Sequence, residues 1–260
     1  MENVFNIFLG NMYMGSLQTL YFPHKLYFPP SGFGFWYYLG QYSRISTMDY
    51  NECVGASSGS LLCICTLLDK DKKSDLFEFV KSLAKNTLTE YKQQTSFVNL
   101  YSLNNIFIDQ LFEKIDWTTV DISKIKIVTT QVEFKYWTVP VLSKRETFPE
   151  TKEELKELAL ATTYIPFISN YQYKLYYTIG TEHFIDGSII DWYMPSAYFS
   201  VKPTVVSLII PSIESIFQSY FDGEISELSI TTPPSNPEFY LISPVTLTLL
   251  VIIFKIIFCK

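Results

Sequence analysis

Apolar and polar positions alternate along the chain in patterns typical of both helices and strands. Residues 58–68 are apolar on nearly every face, which predicts a helix buried at the centre of a domain. In residues 76–91 apolar side chains, Leu88 among them, recur at the spacing of one helical face, which indicates an outer-layer helix. Asn104 or Asn105 is expected to cap a short helix that follows.

Strand patterns lie between and after these helices. Residues 125–128 and the continuous apolar run 204–210 are typical of strands, and residues 213–221 are expected to pack on the second of them as a helix. Pro149 and the acidic residues that follow it predict another helix. Because strands alternate with helices, the predicted fold class is α/β with a largely parallel sheet.

The C-terminal residues 239–259 form a long apolar stretch, FYLISPVTLTLLVIIFKIIFC, after a Pro-rich segment at 232–238. As a helix, such a stretch is long enough to span the roughly 30 Å hydrocarbon core of a membrane. The sequence therefore predicts a linker and a single-pass transmembrane anchor. A terminal core strand or helix is the alternative.

Composition narrows the classes of partner and compartment. The net charge of -6 provides no basic stripe for phosphate contacts, which argues against nucleic acid as a partner. The four cysteines have spacings that suit neither a metal cluster nor a disulfide framework, and the N-terminus lacks the features of a secretory signal. We therefore expect the folded domain to be cytosolic, on the membrane that holds the anchor.

The five residues 55–59, Gly-Ala-Ser-Ser-Gly, match the G-x-S-x-G nucleophile elbow. Gly55 and Gly59 would permit a sharp turn from a strand into the buried helix, and this turn would expose the hydroxyl of Ser57. The N-terminal amides of that helix would face negative charge developing beside the serine. An ordinary Gly/Ser loop that caps a helix is the alternative.

A nucleophilic serine needs a base, and the chain offers two histidines and one well-placed aspartate. Residues 171–187 predict a hairpin that turns at Gly180 and delivers Asp186 at its end, followed by Gly187. A partly buried carboxylate there could accept the hydroxyl proton and return it to the leaving group. A histidine-triad esterase that uses His183 or His24 is the alternative.

Three segments, 54–61, 161–166 and 184–188, resemble successive motifs of patatin-like phospholipases in order and approximate spacing. The resemblance covers residues 26–210. It implies a patatin-like three-layer α/β/α sandwich that hydrolyses acyl esters of phospholipids or storage lipids through a Ser57–Asp186 dyad, without metal or cofactor. With the segments above, it divides the chain into an N-terminal extension (1–25), the acyl hydrolase domain (26–231), the linker and the anchor.

Residues 26–40 align with the glycine-rich oxyanion loop of the same family, and Gly32 matches one of its glycines. The resemblance implies that the backbone amides of Gly32, Phe33 and Ser58 would hold the oxyanion.

The same loop departs from the family pattern, because Pro30, Ser31 and Phe35 stand where glycines are expected. A register shifted by two residues would recruit Gly34 and restore part of the pattern. Proline has no amide hydrogen to donate. This departure motivates a second hypothesis, in which the domain is catalytically impaired and serves as a membrane-bound lipid-binding or scaffolding module.

Overall fold

The computed structural model of the chain describes residues 25–30, 32, 35–44, 49–69, 73, 75–94, 100–135, 139–166, 169, 174–189, 198–200, 218, 220–222, 224 and 229–231. The predicted linker and anchor at 232–259 lie outside these residues, as do the predicted strand 204–210 and most of the predicted helix 213–221. Within the described ranges, no helix combines the length and the apolar character that crossing a membrane requires.

Helices and strands alternate along the described chain. The helices are α1 (Phe35–Ser43), α2 (Ser58–Cys65), α3 (Leu76–Gln94), α4 (Leu100–Phe112) and α5 (Lys152–Thr162), with short 3-10 turns at Ile122–Lys124 and Gly187–Ile189. The strands are β1 (Lys25–Phe28), β2 (Glu52–Ala56), β3 (Ile125–Lys135), β4 (Val139–Thr147), β5 (Tyr177–Ile179), β6 (Glu182–Ile185), β7 (Tyr198–Ser200) and β8 (Ser229–Thr231).

These strands form one mixed sheet of eight strands in the order β5-β6-β3-β2-β1-β7-β8, with β4 paired to β3. The central strands β7, β1, β2 and β3 run parallel, whereas β4, β5, β6 and β8 pair antiparallel with their neighbours. The predicted α/β class with a parallel central sheet is therefore confirmed, and the antiparallel strands at its margins are an addition.

Strands β1, β2 and β3 bury side chains on both faces, as parallel strands do in α/β proteins. On one face the strands share a large apolar cluster with all five helices, and the strand residues in it are Leu26, Phe28, Cys53, Ile125 and Ile127. On the other face the alternate residues Tyr27, Val54, Ala56 and Val128 form a second, smaller cluster. Each of these side chains is at most 2% exposed.

Helix α2 is the buried helix that the sequence predicts, since all eight of its residues are buried. It ends earlier than the apolar run, at Cys65. The hydroxyl of the next residue, Thr66, donates to the carbonyl of Cys63 at 2.6 Å and closes the last turn.

Helix α3 corrects one expectation about its apolar face. Leu76, Val80 and Leu83 are buried as expected, but Leu88 is 42% exposed while the neighbouring Thr87 is only 2% exposed. The buried stripe thus passes through Thr87, and Leu88 instead lines a cavity described below.

Helix α4 corrects a second expectation, because it begins at Leu100 and places Asn104 and Asn105 inside the helix rather than at its cap. A tertiary contact serves the start of the helix: the backbone N–H of Tyr101 donates to the carbonyl of Ser169 at 2.9 Å. That partner is distant in sequence, so local pattern could not reveal it.

Helix α5 follows Pro149 as predicted but begins only at Lys152, and the β5–β6 hairpin is shorter than the predicted span, since β5 begins at Tyr177. Thr151 caps α5 by accepting a hydrogen bond of 3.1 Å from the backbone N–H of Glu154. Gly180 turns the hairpin with a φ of 58°.

Candidate active site

Ser57 stands between the end of β2 and the start of α2 in a strained backbone conformation. Its φ of 52° and ψ of -129° make it the one non-glycine residue with positive φ in the described part of the chain. Such conformations persist only where the surroundings enforce them, and they concentrate at functional sites. The turn is thus the elbow that the Gly-Ala-Ser-Ser-Gly motif predicts.

Two glycines let the elbow fold tightly against the sheet. A Cβ atom on Gly55 would lie 2.6 Å from the carbonyl oxygen of Gly59, and one on Gly59 would lie 2.0 Å from the carbonyl oxygen of Phe28. Both contacts are with backbone, which cannot move aside cheaply. The glycines of the motif are therefore required by the close approach of α2 to β1 and β2.

Thr162 braces the elbow from the end of α5. Its Oγ1 accepts a hydrogen bond of 2.8 Å from the backbone N–H of Ser57 and donates to the carbonyl of Val128 at the end of the β2–β3 pairing. This bracing role was missed in the sequence, where Thr162 belonged only to a motif segment. A threonine at the end of an amphipathic helix carries no local signal for such a contact.

The register of β3 explains how the hairpin reaches Ser57. Residues 127–135 of β3 pair with β4 along one edge of the strand. Along the other edge, β2 pairs with residues 125–128 and β6 pairs with residues 130–131. Because β2 is parallel and β6 antiparallel to β3, the C-terminal ends of β2 and β6 point at each other across Thr129.

Ser57 and Asp186, which follow these two strand ends, therefore meet. The Oγ of Ser57 donates a hydrogen bond of 2.7 Å to Oδ2 of Asp186, across a separation of 129 residues in sequence. Asp186 is 1% exposed and Ser57 is 7% exposed. The structure thus brings together the two side chains that the sequence proposes as nucleophile and base.

Further hydrogen bonds fix the position of Asp186. Its Oδ1 accepts from the backbone N–H of Ser188 at 2.7 Å, its own N–H donates to the carbonyl of Tyr164 at 2.8 Å, and its carbonyl accepts from the hydroxyl of Thr130 at 2.9 Å. Gly187 is needed at the next position, since a Cβ there would lie 2.3 Å from the carbonyl oxygen of Val128.

Burial sets the electrostatics of the carboxyl group. Desolvation raises the pKa of Asp186 above its ordinary value of 3.8, and the hydrogen bonds from Ser188 and Ser57 offset part of that rise. A carboxylate with a raised pKa accepts a proton more readily than an exposed aspartate does. This property suits a general base.

A cavity of about 200 Å³ opens beside the Ser57–Asp186 pair. Gly32, Ser58 and the pair itself line the cavity together with the polar residues Thr87, Asn104 and Thr163, and the remaining lining residues are apolar. The apolar lining residues are Phe35, Trp36, Leu61, Ala84, Leu88, Leu100, Leu103, Phe107 and Ile165.

The residues that the sequence proposes for the oxyanion are described in part. Gly32 and Ser58 both line the cavity with Ser57, and Gly32 has a φ of 55°, which suits glycine. Phe33 lies outside the described residues, as does Ser31. Phe35 opens helix α1, and its backbone N–H donates to the carbonyl of Gly32 at 3.2 Å.

His183 contacts other side chains of the hairpin region. Its ring lies 4.1 Å from that of Tyr176 and 6.1 Å from that of Phe134, and its Nδ1 is 3.3 Å from the hydroxyl of Thr178. No histidine is among the described residues that line the cavity. His24, the other histidine, lies outside the described residues.

Other chemically active groups lie away from this cavity. Cys53, Cys63 and Cys65 are buried free thiols, and burial raises the pKa of Cys65 to about 12. A larger cleft of about 520 Å³ between α4 and α5 shares no lining residue with the first cavity. Among the residues that the structure describes, no group of His, Cys, Asp and Glu is arranged to hold a metal ion.

No protein-family model matches the chain, and no curated protein matches it significantly in sequence.

Proposed function

We propose that this chain is a serine acyl hydrolase that cleaves acyl esters of lipids, in a domain of the patatin-like three-layer α/β/α type. The observation that carries the proposal is the 2.7 Å hydrogen bond from Ser57 Oγ to Asp186 Oδ2 in the lining of a mostly apolar cavity. The strained turn at Ser57 and the raised pKa of Asp186 support the same reading.

In the acylation step, Ser57 Oγ attacks the ester carbonyl carbon while Asp186 Oδ2 accepts the hydroxyl proton. The carbonyl oxygen becomes an oxyanion, which the backbone amides of Gly32, Phe33 and Ser58 would hold. Ser58 begins helix α2, so the helix N-terminus adds favourable potential at this point. Collapse of the intermediate breaks the bond to the alcohol, which leaves with the proton from Asp186.

In the deacylation step, water attacks the acyl carbon of the ester formed on Ser57. Asp186 takes a proton from that water and returns it to Ser57 Oγ as the fatty acid leaves. The hydrogen bond from Ser188 to Oδ1 holds the carboxylate, so that Oδ2 faces the reacting atoms in both steps. The dyad therefore needs neither a histidine nor a metal.

The apolar wall of the cavity supports a lipid as the substrate. Its lining of leucine, phenylalanine and tryptophan side chains would bury an acyl chain while the ester group lies at Ser57. We further propose that residues 239–259 anchor the chain in a membrane, which would keep the site near an insoluble substrate.

A catalytically impaired lipid-binding or scaffolding module is the second candidate. It is favoured by Phe35, whose ring lines the cavity where the resembling family has a glycine, and by Pro30, which lacks an amide hydrogen. In this reading the cavity binds lipid but the oxyanion is poorly held.

Replacing the nucleophile separates the two candidates. We expect Ser57→Ala to abolish hydrolysis of a short acyl ester, because no other group in the proposed mechanism can form the acyl-enzyme. Hydrolysis by purified protein measures the effect. Ser123→Ala, in an exposed turn where the hydroxyl donates to Asp121, is the matched control and should retain full activity.

A fluorophosphonate probe provides a second readout that does not require turnover. An active dyad predicts covalent labelling of the wild-type chain and of Ser123→Ala, and none of Ser57→Ala. Equal ester hydrolysis by wild type and Ser57→Ala would refute the hydrolase proposal. Lipid binding without any labelling would favour the impaired module.

A further inference from the structure

Helices α3 and α4 supply five of the nine apolar residues that line the cavity. Helix α4 contributes Leu100, Leu103, Asn104 and Phe107, the spacing of a single helical face, and α3 contributes Ala84, Thr87 and Leu88. The methylene groups of an unsubstituted acyl chain would make favourable contacts with the apolar side chains of these helices, but not with their polar side chains.

Most of the polar side chains in the lining are already engaged within the protein. Ser57 and Asp186 bind each other, and the hydroxyl of Thr163 donates to the carbonyl of Ala159 at 2.9 Å. The hydroxyl of Thr87 lies 2.9 Å from the carbonyl of Leu83 and 3.0 Å from the side-chain oxygen of Gln110.

Asn104 differs from these residues. Its side chain is half-buried in the lining and makes no hydrogen bond to any residue that the structure describes. An amide has two donor hydrogens and one acceptor oxygen, and covering it with a methylene chain would remove its water without replacing the lost hydrogen bonds.

Helix propensity does not account for an asparagine at position 104. Leucine is the better helix former and would complete the apolar stripe of Leu100, Leu103 and Phe107. The next residue, Asn105, donates to Asp109 at 3.2 Å and lines the larger cleft on another face of the helix. The two asparagines thus have the same chemistry in different surroundings.

We propose that Asn104 is a specificity residue that binds a hydroxyl or oxo group on the acyl chain, so that esters of oxygenated fatty acids are the preferred substrates. This inference rests on the proposed function, since it requires that the cavity hold the acyl chain. A site that offers a hydrogen bond discriminates against the analogue that lacks the partner, because its own polar group is then left unsatisfied.

Binding of free fatty acids tests the proposal without requiring catalysis. Calorimetry on the whole 260-residue chain would compare decanoic acid with its positional hydroxy isomers. We expect at least one isomer to bind wild type about tenfold more tightly than decanoic acid, a ratio that corresponds to one hydrogen bond. Asn104→Leu should lose this preference and bind decanoic acid at least as tightly as wild type.

Asn105→Leu is the matched control and should keep the preference. Asn104→Ala provides a second variant should the larger leucine perturb the fold, which circular dichroism would show. The proposal is overturned if no isomer is preferred, if the preference persists in both Asn104 variants, or if neither class of fatty acid binds.

Hydrolysis of the matching para-nitrophenyl esters distinguishes failure of this inference from failure of the proposed function. Selective binding without hydrolysis by any variant would retain Asn104 as a specificity residue and reject the hydrolase. Hydrolysis with equal kcat/KM for oxygenated and plain esters would retain the hydrolase and reject the role of Asn104.

Discussion

Ser57 and Asp186 each occupy a state that their own chemistry disfavours. Ser57 has a positive φ, which costs a residue with a side chain on the order of 1 to 3 kcal/mol, and Asp186 is a buried carboxyl group with a raised pKa. Hydrogen bonds from the surrounding chain offset part of this cost. The Oγ1 of Thr162 accepts from the backbone N–H of Ser57, and the backbone N–H of Ser188 donates to Asp186. The site is thus held by residues that would take no part in bond making.

The pH dependence of hydrolysis follows from Asp186. The proposed mechanism requires the carboxylate form, and burial raises the pKa of this group above 3.8. We therefore expect kcat/KM to fall as the pH drops through that raised pKa, at higher pH than for an exposed aspartate. A pH–rate profile measures the midpoint. His183→Ala should leave the profile unchanged, and loss of the acidic limb in that variant would instead support a histidine base.

The raised pKa of Asp186 also determines how this residue changes the free energy of unfolding with pH. Because the folded-state pKa is raised, the folded chain holds the proton more tightly than the unfolded chain. The stabilisation from Asp186 is therefore fully present below the unfolded pKa and is lost as the pH rises through the folded pKa.

We accordingly expect Asp186→Asn to lower kcat on the order of a thousandfold while raising the free energy of unfolding at neutral pH. The amide keeps the size of the side chain and an oxygen for the Ser188 hydrogen bond. Urea unfolding and ester hydrolysis measure the two effects. Asp121→Asn, at an exposed turn, is the control and should leave hydrolysis intact.

At the scale of elements, the contact between α2 and the sheet is the tightest feature of the site. Gly55 and Gly59 allow backbone-to-backbone contact that no side chain could share. This contact aims the N-terminus of α2 at Ser57. Both the elbow and the proposed oxyanion position therefore depend on one helix-to-strand distance.

Gly59→Ala tests this dependence. Alanine normally stabilises a helix interior relative to glycine, but here its Cβ would lie 2.0 Å from the carbonyl oxygen of Phe28. We expect the free energy of unfolding to fall by about 3 kcal/mol, and urea unfolding measures it.

Gly180→Ala in the hairpin turn is the comparison for that variant. A Cβ there meets nothing within 4 Å, so only the positive φ of 58° opposes it, at about 1 kcal/mol. A smaller loss of unfolding free energy for Gly59→Ala than for Gly180→Ala would contradict the close contact between Gly59 and the carbonyl of Phe28.

Helices α3 and α4 show where a local pattern is insufficient. The spacing of apolar residues correctly places α3, yet it puts Leu88 on the buried face because a leucine that lines a cavity and one that lines a core look alike in sequence. The backbone N–H of Tyr101 in the first turn of α4 donates to the carbonyl of Ser169, which lies far along the chain. Residues far apart in sequence therefore affect both the exposure of Leu88 and the contact at the start of α4.

At the scale of the molecule, the described chain has a buried centre and more exposed margins. The side chains of Val54, Ala56, Ile127 and Val128 in the central strands are at most 1% exposed. Phe134 near the end of β3 is 49% exposed, and Val141 on the paired strand β4 is 37% exposed. We therefore expect the free energy of local opening to be highest in the central strands and lower toward the exposed ends of β3 and β4.

Amide hydrogen exchange tests this gradient within one strand. We expect the amides of residues 125–130 in β3 to exchange as slowly as those of β2, because both require global unfolding. The amides of residues 133–135 should exchange faster by about a hundredfold or more, since local fraying of the β3–β4 ladder exposes them. Equal exchange rates for residues 125–130 and residues 133–135 would contradict the expected difference between the two ends of β3.

The amino-acid sequence determined the local parts of this protein. Periodicity, proline and glycine involve near neighbours in the chain, and they predict the buried helix after the elbow, the helix that follows Pro149, the turn at Gly180 and the α/β alternation. The candidate nucleophile and its carboxylate were recognisable because motif chemistry is also local. The sequence indicated that these two residues should meet, but it did not show which strand pairing brings them together.

The tertiary structure alone decided the meeting and its surroundings. Strand β3 is long enough to pair with β2 and then with β6 along one edge, which places Ser57 opposite Asp186. The same packing assigned Thr162 to the elbow and Asn104 to the cavity. The physical reason is that each of these contacts joins residues far apart in the chain, and they come together only when the sheet register fixes the backbone.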